Sequence, residues 1–196
     1  MTQVDERFNG CVQAIDAANR ADPVLREFEG ATYPQSLLEG ERAQAWIERL
    51  LPDASETLRL AARAHHVRRW EVPRSSYPRT REGYHAWRTY LYGFHAEVLA
   101  GFMETAGYPP TEVDRARTIL SKRVIKSDPD AQTHEDAVSL AFLEVRLAEF
   151  APTITDEQLL RALRRTWAKM SPAGRAAAQS LALNPQAQAA LAAALG

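Results

Sequence analysis

Apolar residues recur at intervals of three and four along nearly the whole chain of 196 residues. In THEDAVSLAFLEVRLAEF, for example, Leu140, Leu143 and Leu147 fall on one helical face, and Asp136 stands at its head. This period is that of the α-helix, and no stretch alternates between apolar and polar residues for long enough to predict a sheet. We therefore predict an all-α fold, built as one compact helical domain over residues 1–196.

Prolines and capping residues divide this pattern into separate helices. Proline lacks an amide N–H and restricts the residue before it, so helices should end before Pro23, Pro52, Pro73 and Pro152. The predicted helices cover residues 3–20, 36–52, 55–70, 82–106, 111–122, 133–151, 155–170 and 172–182. Thr155 and Ser171 are the expected N-caps of the last two. Residues 181–196 are rich in alanine and form either a further helix or a frayed or docking tail.

Charge and cysteine content exclude several classes of function. The 24 basic and 25 acidic residues leave a formal charge of -1, which creates no global field for nucleic acid or a membrane surface. Cys11, the one cysteine, lies between Phe8 and Ile15 on an apolar helix face, which predicts a buried thiol. The stretch MTQVDERF lacks the basic start and apolar run of a signal peptide, and charges or prolines interrupt every apolar run before it reaches membrane-spanning length, so we expect neither feature. We expect a soluble cytoplasmic protein without a membrane partner, whose oligomeric state stays open.

The stretch AARAHHVRRWEVPRSSYP, residues 61–78, places two adjacent histidines near the end of the third predicted helix. Neighbouring side chains on a helix point about 100° apart, so His65 and His66 could share one ion only if the helix end were distorted. His66 shares a face with Arg69 and Trp70. His66 is either a metal ligand or a histidine hydrogen-bonded at a helix C-terminus, where the helix dipole favours imidazolium.

Two other polar residues lie on predicted apolar faces. His95 stands among Leu91, Leu99 and Phe102, and each of its ring nitrogens needs a partner, supplied either by a metal ion or by a backbone carbonyl. Asp136 is costly to bury unless it meets a cation or a donor. The alternative for Asp136 is a capping box with Thr133 as the N-cap. His134 and Glu135 point to other faces of this helix, so we expect His134 to face solvent.

Arginine is concentrated between residues 61 and 90, where seven arginines stand against two glutamates. A second basic cluster follows at Lys122, Arg123 and Lys126. The guanidinium group binds phosphate or carboxylate in a bidentate manner, and the interleaved tryptophans and tyrosines can stack on a base. The clusters together predict a local anion-binding surface, although any single arginine is alternatively solvated or paired with an acid.

Four motifs carry a resemblance to a family of unknown function. LAARAHHVRRWEVPRSSYP, GYHAWRTYLYGFHAE, SDPDAQTHEDAVSLAFLE and LRRTWAKMSPAGRAAA are similar to the motifs of the domain of unknown function 4202, over about residues 11–181. The family's RRW, PRS, WRT, FHAE and ED motifs correspond to Arg68, Arg69, Trp70, Arg74, Trp87, Arg88, His95, Glu97, Glu135 and Asp136. The first histidine of the doublet is often glutamine in that family, which favours His66 over His65.

The order of helices also resembles that of the HD-domain phosphohydrolases, which are all-α metal enzymes with a histidine, a later His-Asp pair and a late aspartate. ASETLRLAARAHHVRRW looks like the helix that leads into the pair, and EDAVSLAFLE looks like the helix with the late aspartate. The pair here reads His65-His66, and only Glu39 or Glu41 lies where the first histidine would fall. His95 is an alternative ligand on a different helix.

The HD resemblance implies a metal-dependent phosphohydrolase. The metal ligands would be His66, His95 and Asp136, around one divalent ion of manganese, iron, nickel or zinc. A small phosphorylated molecule such as a nucleotide would bind to Arg69, Trp70, Arg74, Arg88 and Lys122. Glu135 and Glu97 are the candidate catalytic acids. The alternative is a non-catalytic protein that binds an anionic metabolite or nucleic acid in the same pocket of arginine and tryptophan.

Overall fold

The computed structural model describes residues 3–183 and 185–195, which contain ten α-helices, three 3-10 helices of three residues each and one short β-hairpin. The helices are α1 (Gln3–Asn19), α2 (Gln35–Leu50), α3 (Glu56–Arg63), α4 (Arg81–Thr105), α5 (Pro110–Leu120), α6 (Pro129–Val145), α7 (Leu147–Phe150), α8 (Asp156–Lys169), α9 (Pro172–Gln179) and α10 (Pro185–Leu195). The predicted all-α class is confirmed, and the alanine-rich end forms a helix. In this described part, no helix has both the length and the apolar character of a membrane span.

The hairpin was not predicted from the sequence. Strand β1 (Leu25–Phe28) pairs antiparallel with β2 (Ala31–Pro34), and Phe28 lies opposite Ala31. The two turn residues, Glu29 and Gly30, have φ values of 50° and 80°. Positive φ at both positions is typical of the two-residue turns whose twist matches that of the paired strands. The strands have four residues each, so they are too short for an alternating pattern to stand out.

The core is built on α2, which packs against α3 on one side and α6 on the other. Ile47, Leu58 and Leu140 from these three helices are fully buried. Burial of each such side chain contributes roughly 1.5–3 kcal/mol to stability. Gly40 allows α2 to approach α3, because a Cβ there would lie 2.4 Å from the carbonyl oxygen of Arg63. Cys11 is buried as predicted, and its burial raises the pKa of the thiol to about 12.

Capping residues set the starts of the C-terminal helices. Thr155 and Gln158 form a capping box at α8, and the Ser171 hydroxyl accepts from the Gly174 N–H at α9, so both predicted N-caps are confirmed. Helix α6 begins earlier than predicted, because Asp128 caps it and Pro129 occupies its first position. The capping-box interpretation of Thr133 and Asp136 is therefore wrong, since both residues lie inside the helix.

The third helix is shorter than predicted. It ends at Arg63 rather than at residue 70, and the chain then turns through residues 64–68. Arg68 ends this turn in the left-handed conformation, with φ 53°, and its N–H donates to the Asn19 side chain at 3.4 Å. The helix end is thus distorted in the manner that would let His65 and His66 act together, and their ring centroids lie 4.1 Å apart.

Candidate functional site

A cavity of about 440 Å³ lies between α4, α6 and α8, with α2 and the turn after α3 completing its wall. Its volume falls within the roughly 300–1,000 Å³ of pockets that bind small molecules. Helix α8 contributes one face, with Ala162, Arg165, Thr166 and Lys169 at helical intervals. Tyr84, Arg88, Leu91, Tyr92 and His95 follow the same rule on α4. Helical periodicity therefore puts each of these two sets on one face of its helix, and the two faces line the same chamber.

Three histidines stand together on the cavity wall. The rings of His66 and His95 lie 5.9 Å apart between centroids, and His65 stacks beside His66. His65 donates from Nδ1 to the Ala62 carbonyl at 2.8 Å, and His95 donates from Nδ1 to the Val67 carbonyl at 2.9 Å. A carbonyl only accepts, so each ring presents Nε2 as a lone pair. A fixed Nδ1–H with a free Nε2 is the usual arrangement of a metal-binding histidine.

The Nε2 atom of His95 is buried and has no hydrogen-bond partner among the described residues. An unpaired buried acceptor costs about 1–3 kcal/mol of desolvation. The carbonyl of Val67 thus accounts for one ring nitrogen of His95, and the other nitrogen is available to a ligand.

Glu39 joins the histidines from α2. Its Oε2 accepts from Nδ1 of His66 at 2.5 Å, and its Oε1 accepts from Arg146 at 2.6 Å. Arg69 donates to Nε2 of His66 at 3.3 Å. One potential ligand atom from each of Glu39, His65 and His66 lies within 4.8 Å of the other two. This spacing can accommodate one divalent ion after small side-chain shifts.

Burial keeps the histidines neutral. It lowers the pKa of His65 and His66 well below the ordinary value and lowers that of His95 to about 3, and nearby cations act in the same direction. A neutral imidazole is the form that binds a metal ion or accepts a proton. Burial also raises the pKa of Glu39, against the opposing effect of Arg146 and Arg69.

The rest of the wall is strongly basic. Six cationic side chains line the cavity, against the two carboxylates of Glu39 and Glu135. The cations are Arg69, Arg88, Lys122, Arg146, Arg165 and Lys169. Lys122 binds Glu135 at 2.7 Å. Burial opposes ionisation of Glu135, but Lys122 and Lys169 outweigh it and lower the pKa to about 2. With neutral histidines, the wall carries an excess of positive charge that suits an anion.

Backbone strain occurs beside the same cavity. Arg68 and Lys122 have φ values of 53° and 57°, in the region that favours glycine. Lys122 lines the cavity, and Arg68 lies between His66 and Arg69 in the chain. Such conformations cost on the order of 1–3 kcal/mol each, and they are concentrated at binding and active sites. The strain supports a functional role for this cavity.

Comparison with known proteins gives one match. The model of the family described as Domain of unknown function (DUF4202) covers residues 9–191. The chain belongs to the DUF4202 family. No curated protein and no solved structure matches the chain significantly, so these comparisons give the proposed HD resemblance no support. The cavity is therefore the principal source of functional information about this DUF4202 chain.

The structure brings six of the ten predicted site residues into the cavity. They are His66, His95, Arg69, Arg88, Lys122 and Glu135. The other four predicted site residues, Trp70, Arg74, Glu97 and Asp136, do not line it. Arg74 donates to the carbonyls of Tyr77 and Pro78, and Trp70 is half-buried elsewhere. Glu97 is exposed on α4, where it pairs with Arg117.

Asp136 is buried in a different contact, between α6 and α9. It accepts from the Ser171 hydroxyl at 2.5 Å, from the Ser171 N–H at 2.8 Å and from Gln132 at 3.1 Å. The donors that its burial requires are therefore supplied by the start of α9. His134 was expected to face solvent, and this prediction is wrong: it is 1% exposed, because α3 packs on α6 here and the Ala61 carbonyl lies 3.4 Å from Nε2.

Sequence reasoning missed several cavity residues. Glu39 entered only as a stand-in for a ligand of another family, and His65 ranked below His66. Arg146, Arg165 and Lys169 were not considered. A signal for Arg146 was present, because it follows Phe142 and Ser139 by four and seven residues and so falls on their face of the predicted helix 133–151, although α6 itself ends at Val145.

Proposed function

We propose that the cavity binds a small phosphorylated molecule, and that the chain hydrolyses it with the help of a divalent cation. The observation that carries the proposal is the close association of two features in one chamber. The Glu39, His65 and His66 group has ligand atoms spaced for an ion, and the surrounding wall is rich in arginine and lysine. A cation beside groups that neutralise phosphate is the usual design of a phosphoester hydrolase.

The proposed metal ligands differ in part from those predicted from the sequence. His66 and His95 remain in the set, while Glu39 and His65 take the place of Asp136. A divalent ion of manganese, iron, nickel or zinc, when bound, would lower the pKa of a coordinated water. Arg69 and Arg88 would neutralise the phosphoryl oxygens. Glu135 would hold Lys122 in position through their 2.7 Å ion pair.

The proposal includes an HD-like arrangement of the site, a cytoplasmic location and a nucleotide-like ligand. An HD-like arrangement would use the histidines at the turn after α3 together with an acid on α6, and Glu135 is the α6 acid that lines the cavity. A cytoplasmic location fits a single buried, reduced Cys11. A nucleotide, or another phosphorylated metabolite, fits the size and charge of the cavity.

A second candidate function is anion binding without chemistry. Its support is that two members of the metal-binding group already have protein partners, since Arg69 donates to Nε2 of His66 and Arg146 donates to Glu39. In that case the ligand oxygens would be held by arginines alone, and the histidines would shape the chamber.

Elemental analysis of tag-free protein tests the metal proposal. We expect near-stoichiometric divalent metal, which is lost in His65→Ala and kept in His85→Ala, since His85 is exposed on α4 and lies away from the Glu39 group. Hydrolysis of p-nitrophenyl phosphate should require added manganese and stop with a chelator. Protein that stays metal-free and inactive, but binds inorganic phosphate, would support the binding function instead. A protein that binds neither metal nor phosphate would refute both.

A further inference from the structure

We infer that the ligand of this cavity carries two or more phosphate groups in a row. The outer phosphates would lie in a second depression between α4 and α8, into which the cavity continues. The inference rests on the proposed function, because it assumes that the innermost phosphoryl group lies near the histidines. It assigns Arg165 and Lys169 to the outer phosphates, while Arg88 lies between them and the inner phosphoryl group. The reasons are the continuity of the cavity with an outer depression, the charge of that depression and, among the described residues, the lack of side-chain partners for Arg165.

The cavity continues outward into a second depression between α4 and α8, which we call the vestibule. It shares five lining residues with the inner chamber, namely Tyr84, Arg88, Tyr92, Arg165 and Lys169. Arg81, His85, Thr89 and Ala168 complete its wall. A ligand can therefore extend from the histidines to the vestibule without leaving the protein surface.

Positive charge is distributed unevenly between these two parts. Both carboxylates, Glu39 and Glu135, lie in the inner chamber beside Arg69, Arg146 and Lys122, and the chamber's other three cations, Arg88, Arg165 and Lys169, are shared with the vestibule. The vestibule wall has four cations, Arg81, Arg88, Arg165 and Lys169, and no carboxylate. One phosphoryl group in the inner chamber would not offset the charge of the vestibule. Further negative groups on the same ligand would do so.

The vestibule cations are also poorly paired within the protein. Arg88 donates to the hydroxyl of Tyr92 at 2.7 Å, and Lys169 lies 3.5 Å from Glu135. Arg165 has no side-chain hydrogen bond or ion pair to any other residue in the described ranges 3–183 and 185–195. Arg165 and Lys169 are one turn apart on α8 and face Arg88 on α4 across the opening. Converging guanidinium and ammonium groups, of which only Lys169 has a carboxylate within ion-pair distance among the described residues, suit a run of phosphates.

The experiment compares inorganic phosphate with pyrophosphate by calorimetric titration. Wild-type protein should bind pyrophosphate more tightly than phosphate. Arg165→Ala should weaken pyrophosphate binding about tenfold, as expected for loss of a charge-assisted hydrogen bond, and should change phosphate binding less than about twofold. Arg164→Ala is the matched control, because Arg164 is exposed on α8 like Arg165 but lines neither part of the cavity. It should change neither affinity.

Equal affinities of the wild type for phosphate and pyrophosphate would overturn the inference. Equal losses of pyrophosphate affinity in Arg164→Ala and Arg165→Ala would do the same, because the effect would then reflect net charge alone. The proposed function would still stand in either case if phosphate binds to the wild type and fails to bind to His66→Ala.

Two kinds of molecule offer this chemistry, an inorganic oligophosphate and a nucleoside diphosphate. Adding ADP to the titrations distinguishes them. Tighter binding of ADP than of pyrophosphate, lost in Tyr84→Ala, would support the inference with a nucleotide as the ligand, since the half-exposed Tyr84 ring can stack on a base. Equal or weaker binding of ADP, with the Arg165 effect retained, would support it with an oligophosphate.

Discussion

Replacing Asp136 with alanine distinguishes a structural carboxylate from a metal ligand. The Asp136 side chain is 3% exposed and accepts three hydrogen bonds, two of them from Ser171. Those two bonds fix the first turn of α9 against α6. If this is the role of Asp136, the variant should lose stability and keep its metal and phosphate binding.

The size of the loss follows from the bonds removed. A hydrogen bond to an ionised group contributes about 1.5–3 kcal/mol, and the half-buried N–H of Ser171 regains part of this from water. We therefore expect Asp136→Ala to lower the free energy of unfolding by about 3 kcal/mol. For a chain of this size that corresponds to a fall in Tm of roughly 6–12 °C.

Urea unfolding followed by circular dichroism measures this loss, and elemental analysis of the folded protein measures the metal. Asp114→Ala is the control, because its carboxylate is 73% exposed and pairs with Arg117 on the surface. The control should change stability by less than about 0.5 kcal/mol. Wild-type stability combined with loss of metal in Asp136→Ala would refute our reasoning and restore Asp136 as a ligand.

Three other substitutions test the packing and electrostatics. Gly174→Ala should lower the free energy of unfolding by about 1–3 kcal/mol, because the added Cβ would lie 2.6 Å from the Asp136 side chain. An unchanged Tm in thermal unfolding would contradict this. Burial lowers the pKa of His134 to about 3, so below about pH 6.5 the unfolded state gains a proton that the folded state lacks, and stability falls. In His134→Asn the free energy of unfolding should decrease less steeply as the pH is lowered, because about one proton fewer is taken up on unfolding. An unchanged slope would refute the assignment of this effect to His134. Arg63→Lys should lower the free energy of unfolding in urea by about 1–2 kcal/mol, because lysine cannot keep both 2.7 Å hydrogen bonds to Asp16. Wild-type stability of the variant would mean that this ion pair contributes little.

The helical class and much of the helix order could be predicted from the sequence because their signals are local. Thr155 and Ser171 cap α8 and α9 as their sequence context indicates, and the helical period of apolar residues holds along α4 and α6. Capping and periodicity depend on residues within one or two turns, so these patterns retain their meaning without knowledge of the fold.

Local signals failed where a distant contact determined the backbone. Nothing between Arg63 and Pro73 obliges a helix to end, yet α3 stops at Arg63. The following turn buries His65 and Val67 and brings the Arg68 N–H to Asn19 of α1. Burial and hydrogen bonds to another helix outweigh the small propensity differences that a sequence pattern can report.

The candidate site shows the same division. The sequence alone determined that His95 lies on an apolar face of a helix and that basic residues concentrate around the histidine doublet. Only the tertiary structure brought Glu39, His65 and Arg146 to one wall and placed Lys169 across from them. Periodicity identifies the face of a helix that is covered, but the identity of the covering helix depends on packing between residues that are far apart in the chain.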